Sequence, residues 1–87
     1  MKKSNQLKAA ANDLKPVVIV GTQGLSDSVH EKIEFCLNSH ELIKIRINSK
    51  EREARLDMIE RIIKKHDATL VKSIGHVTVI YRKNEED

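Results

Sequence analysis

Val17-Val18-Ile19-Val20-Gly21-Thr22-Gln23-Gly24-Leu25-Ser26 is a short apolar run broken by two glycines three positions apart. It reads as a buried strand, a tight Gly-x-x-Gly loop, then a helix with Ser26 as its N-cap. Lacking Cβ, glycine lets the backbone lie close to a ligand. The helix that follows directs free N–H groups and its positive dipole end toward the same spot, where an anion such as phosphate fits. Gly-x-x-Gly alone also describes an ordinary turn, so the rest of the chain has to decide.

Working outward, Leu7, Ala10, Ala11 and Leu14 recur at helical spacing and predict an N-terminal helix over 4–13. It stops at Lys15-Pro16 because the residue before a proline avoids the helical region. Val17–Val20 is apolar on both faces, the pattern of a strand interior to a sheet. Val29, Ile33, Cys36 and Leu37 place a stripe on a helix over 27–39. Leu42-Ile43-Lys44-Ile45-Arg46-Ile47 alternates at period two, so three isoleucines face the core while Lys44 and Arg46 project from the other side. A third helix starts near Asn48 or Ser49 as cap with Glu51 reaching back, and buries Leu56, Ile59, Ile62 and Ile63. Strands over 69–74 and 77–82 flank Gly75-His76, the spacing of a tight hairpin. The order helix, strand, helix, strand, helix, strand, strand predicts an α/β domain with a four-stranded mixed sheet.

The chain has 87 residues, enough for one domain over 1–83 and an acidic, disordered tail at 84–87. Its net charge is +3, and setting aside Glu85-Glu86-Asp87 leaves a body of about +6. Lys2, Lys3, Lys8 and Lys15 against Asp13 make the beginning of the chain basic. Such a body attracts polyanions, although solvated helices also carry many lysines. No apolar run reaches the ~20 residues of a membrane span, and the start lacks the apolar stretch of a secretory signal. The lone Cys36 forms no internal disulfide, suits a reducing cytoplasm, and by its spacing is a small buried residue.

Catalytic patterns are missing. The four histidines form no His-x-x-His pair and there is no Cys-x-x-Cys, so no metal or cofactor is expected. His40-Glu41 fits a capping or packing role at a helix-to-strand junction. Ser26 is not in a Gly-x-Ser-x-Gly elbow, and the glycine loop lacks the Gly-Lys-Ser ending of a nucleotide-binding loop. What remains is a binding surface. Gly21, Thr22, Gln23 and Gly24 offer donors to a phosphate, and Lys15, Lys44 and Arg46 extend a basic track if their side of the sheet is open. Phosphate contacts of this kind position a nucleic acid without reading its sequence. Phe35 and Tyr81 are the only aromatics, which disfavours base stacking and points to a structured RNA backbone.

Leu14 to Ser26 together with His40-Glu41-Leu42-Ile43-Lys44-Ile45-Arg46 closely resembles the CRM domain, the chloroplast RNA splicing and ribosome maturation domain, whose single-domain bacterial version is the YhbY family. The likeness runs from about Leu7 to Arg82 in the same element order. It implies a fold similar to the C-terminal domain of translation initiation factor three. It also implies RNA binding, in bacteria to precursors of the large ribosomal subunit, through a loop that maps onto Gly21–Gly24. Lys15, Lys44 and Arg46 match basic positions near that loop. Unlike some relatives, this chain ends in acid and not in a basic extension. The expectation is a cytoplasmic, non-enzymatic RNA-binding factor. The alternative is a protein–protein adaptor on ribosomal particles, using the charged third helix and making no direct RNA contact.

Overall fold

The computed structural model describes residues 14–21 and 23–83. Six elements follow one another: β1 (Pro16–Val20), α1 (Asp27–His40), β2 (Leu42–Ile47), α2 (Arg52–His66), β3 (Thr69–Ile74) and β4 (Val77–Tyr81). The helix expected over 4–13, Thr22 and the acidic tail lie outside the described residues.

The sheet is mixed, with spatial order β1-β2-β4-β3. β1 and β2 run parallel, joined by the crossover helix α1, while β4 is antiparallel to both β2 and β3. Alternation decides which face is covered. Val18 pairs with Ile45, Val20 with Ile47, and Ile43 with Ile80, so these side chains share one face. They form a single buried cluster with Ile33, Cys36 and Leu37 of α1 and Ile59 and Ile62 of α2. Both helices therefore sit on that face, and the core is almost wholly aliphatic.

Three sequence expectations need revision. β1 is an edge strand, not an interior one: Val18 and Val20 are buried, but Ile19 is 59% exposed on the opposite face. Its apolar outer residues do not mean burial on both sides. α2 begins at Arg52 with Glu51 as N-cap and no side-chain capping bond, so the capping box at Asn48 or Ser49 does not form. Leu56 is 49% exposed, because it stands at the edge of the buried stripe of α2, where it and Ile59 line an open hollow.

The ends of the elements set the loops. Ser26 Oγ accepts from the Val29 amide at 3.3 Å and caps α1 as its position predicts. α1 closes through Glu41 at φ 62°, whose amide donates to the Leu37 carbonyl at 3.0 Å. Gly75 takes the first position of the two-residue β3–β4 turn at φ 56°, where a side chain would be strained.

Candidate nucleic-acid interface

Parallel pairing puts the C-terminal ends of β1 and β2 side by side, so the loops that leave them are neighbours. The β1–α1 loop is a turn closed by the Gly24 amide donating to the Gly21 carbonyl at 3.0 Å. Beside it, the Asn48 amide donates to the Val20 carbonyl at 2.9 Å and starts the β2–α2 loop. The β3–β4 turn lies at the same end, tied to β2 twice: the Ile47 amide donates to the His76 carbonyl at 2.7 Å, and His76 Nδ1 donates to the Ile47 carbonyl at 2.9 Å. Three connections thus form one rim.

The two glycines of the turn differ. Gly24 sits at φ 80°, a conformation that glycine adopts without strain, so the backbone explains it. Gly21 has ordinary backbone geometry, and a Cβ built there meets nothing within 4 Å. The fold of the described residues gives no reason for glycine at 21. A hollow of about 310 Å³ opens next to it, lined by Asn48, Ser49, Lys50, Glu51 and Met58.

Of the residues picked from sequence, Gly21, Gln23, Gly24 and Arg46 share this rim. Arg46 pairs in register with Ile19, two residues before the turn, and its Nε donates to Asn48 Oδ1 at 3.0 Å. Its outward face is partly open, with Arg46 exposed and Lys44 half-buried. Lys15 does not join them. It precedes β1, six residues and about 20 Å of extended chain from Gly21 at ~3.3 Å per residue. Lys44 pairs with Pro16 near that far end, and Lys15 and Lys44 line a separate hollow with His40 and Val17. Asn48 and Lys50 belong to the rim too, although their segment reads in the sequence as a helix start. The signal was available in the strand–helix–strand order, since ligands gather at the carboxyl ends of parallel strands. The turn also limits anion binding: it already uses the Gly24 amide, Ser26 Oγ holds the Val29 amide, and Asp27 adds a negative charge to the first turn of α1.

A second polar cluster occupies the opposite end of the sheet. Arg82, just past β4, donates from both terminal nitrogens to the two Glu34 oxygens, each at 2.9 Å. It also donates to the His66 carbonyl at 3.0 Å and to Asn38 Oδ1 at 2.8 Å. His66, buried at the end of α2, places Nδ1 2.9 Å from Glu34 Oε1 and Nε2 3.0 Å from His30 Nδ1. A carboxylate only accepts, so His66 Nδ1 carries a proton. With a neutral His66 ring, His30 Nδ1 is then the donor to His66 Nε2. Hydrogen bonds from Arg82 first, then from His66, pull the Glu34 carboxyl down to about 2. Partial burial, with the nearby His66 and Lys65, lowers His30. No cluster of three or more His, Cys, Asp or Glu side chains arranged for a metal exists among the described residues.

The CRS1 / YhbY (CRM) domain model matches residues 1–82. The chain belongs to the CRM domain family. A Haemophilus influenzae protein named "RNA-binding protein" is 41% identical over 85 residues, covering 98% of this chain and 86% of that protein. A Bacillus subtilis protein named "Probable RNA-binding protein YqeI" is 30% identical over 86 residues, covering 99% and 90%. The solution structure of a hypothetical protein from Staphylococcus aureus superposes with a TM-score of 0.84 at 25% identity, covering 98% of this chain and 88% of that one. This CRM chain therefore has the α/β mixed-sheet architecture expected from its element order. No helix among its described residues is long and apolar enough to cross a membrane.

Proposed function

We propose that this CRM-family chain is a non-enzymatic RNA-binding protein that holds an RNA backbone at the rim formed by the Gly21–Gly24 turn, Arg46, Asn48 and Lys50. The observation that carries the proposal is Gly21: the fold leaves open space where its side chain would be, so an external group close to the backbone is the reason for glycine there. The RNA-binding names of the family's relatives support the same reading. Arg46 and Lys50 supply the positive charge, and the turn supplies main-chain and side-chain donors. The target fitting the family resemblance is ribosomal RNA of the large-subunit precursor, bound during assembly in the cytoplasm.

The test is a Thr22→Asp/Gln23→Asp double variant assayed against ribosomal RNA fragments. Two negative charges added to the turn are expected to weaken binding at least ~10-fold while the melting temperature holds, a loss of about 1.4 kcal/mol. Unchanged affinity in a folded variant would remove the turn as the main contact. Crosslinking with sequencing of the bound RNA identifies the target. One observation favours an adaptor role instead: Phe35 is 71% exposed on a face of α1 that also carries Asp27 and Glu31. If ribosomal-particle association survives digestion of exposed RNA, that face, and not the glycine rim, makes the contact.

A further inference from the structure

The β3–β4 turn and the first two turns of α2 enclose a hollow of about 330 Å³, lined by Arg52, Arg55, Leu56, Ile59, Ser73 and Gly75. Its volume is at the lower end of small-ligand sites. Its floor is aliphatic, from buried Ile59 and half-exposed Leu56. Its rim is cationic and contains no carboxylate. Arg55 is pinned, with Nη1 donating to the Ser49 carbonyl at 2.9 Å and the Lys50 carbonyl at 3.1 Å, which fixes the plane of its guanidinium. Arg52 makes no side-chain hydrogen bond or ion pair with any described residue. Arg55 links the hollow to the glycine rim, since the Ser49 and Lys50 carbonyls that hold it belong to residues lining the Gly21 hollow.

We propose that this hollow holds one unpaired nucleotide of the bound RNA, with its phosphate on Arg52 and its base lying on Leu56 against the fixed Arg55 plane. The assignment rests on the chain being an RNA binder and adds to it a preference for RNA carrying an extruded base. It explains two features together. Leu56 has helical spacing for the core yet lines the hollow, and two arginines, whose charges suit a phosphate, border an apolar floor that suits a base. A guanidinium plane can stack on a base where no aromatic side chain is present. A base stacked inside a duplex cannot reach the floor, so only an unpaired one fills it.

The test uses three RNA hairpins of one sequence: fully paired, carrying a single bulged nucleotide, and carrying an abasic bulge. The wild-type chain is expected to bind the bulged hairpin at least ~5-fold more tightly than the other two. Leu56→Glu, at a half-exposed position, is expected to erase that preference while keeping paired-hairpin affinity within about twofold. Arg52→Gln, which removes no apolar contact, is expected to lower bulged-hairpin affinity alone. 2-Aminopurine at the bulge is expected to change emission with the wild type and not with Leu56→Glu. Equal wild-type affinity for all three hairpins, or a preference that persists in Leu56→Glu, overturns the proposal while RNA binding stands. No binding to any hairpin overturns both.

Discussion

At the end of the sheet where β4 finishes, Arg82 makes four side-chain hydrogen bonds that tie the sheet to both helices, and Glu34 and His66 are held in turn. At the opposite end, where β1 and β2 finish, Lys50 and Arg52 make no side-chain bond with any described residue, and Gly21 leaves open space. Both ends are rich in charge, but only the first pairs it with opposite charge, while at the other Arg46 and Arg55 bond neutral oxygens. A charged-group hydrogen bond closed within the chain contributes to stability; the same group left facing solvent is available to a partner at little desolvation cost. On the proposed function, stability and binding belong to different ends of one sheet, and substitutions should separate them.

The largest expected effect is at the closed end. Arg82→Ala removes all four side-chain bonds and leaves Glu34 and the His66 carbonyl without that donor, so unfolding free energy should fall by about 2 kcal/mol. RNA affinity of the folded variant should stay within twofold. Denaturant melts with RNA titrations check both numbers. A large affinity loss in folded protein would break the division between the ends.

The two glycines give the next contrast. Gly24→Ala forces a Cβ into φ 80° and should cost about 1 kcal/mol of stability. Gly21→Ala has room and should leave stability unchanged or raised by a few tenths of a kcal/mol, yet lower RNA affinity about fivefold. Stability and affinity lost together at 21 would mean that glycine there serves the fold.

The closed end also has an acid signature. Glu34 titrates at about 2 in the folded chain against 4.5 ordinarily, so the folded state binds fewer protons and stability is lost as pH falls from about 4.5 to about 2. His30 is lowered from 6.5 by partial burial, so its contribution has the same sign and begins to be lost as pH drops through 6.5. Melting temperature followed from pH 7 to 2.5 should decline in two stages. Glu34→Gln should flatten the lower stage, and His30→Gln the upper one. A wild-type profile flat to pH 3 would show that the clamp contributes nothing.

How much of this was legible in the sequence follows from the range of the interactions. Ile43, Ile45 and Ile47 announce a strand and its buried face because alternation is local, and Ser26 announces a helix start because a cap reaches only three residues. The rim was half legible: Gly21 and Gly24 lie in one motif, whereas Lys50 becomes their neighbour only through parallel pairing of two strands. The Arg82 cluster was not legible, since Glu34 is 32 positions from His66 and 48 from Arg82, and nothing local marks them. Leu56 and Val17–Val20 misled for a common reason. Periodicity says which residues share a face but not whether another element covers it.

The smallest expected effect concerns the basic residues that the sequence grouped and the structure separates. Arg46 stands beside the turn and should, as Arg46→Ala, lower RNA affinity about threefold to tenfold and reduce the salt dependence by about one phosphate contact. Lys15 is about 20 Å of extended chain from Gly21, beyond the ~10 Å screening length at 0.1 M salt, so Lys15→Ala should change affinity less than twofold. Lys44→Ala, at the Pro16 row, should fall between them. A salt titration of each variant decides the matter, because a direct phosphate contact changes its slope and a distant charge does not. An equal change of slope at Lys15 and Arg46 would mean that the RNA runs the length of β1 along the outer sheet face, passing exposed Ile19 on the way. The binding surface would then be the face of the sheet as well as its rim, and the contrast between the two ends would hold for stability alone.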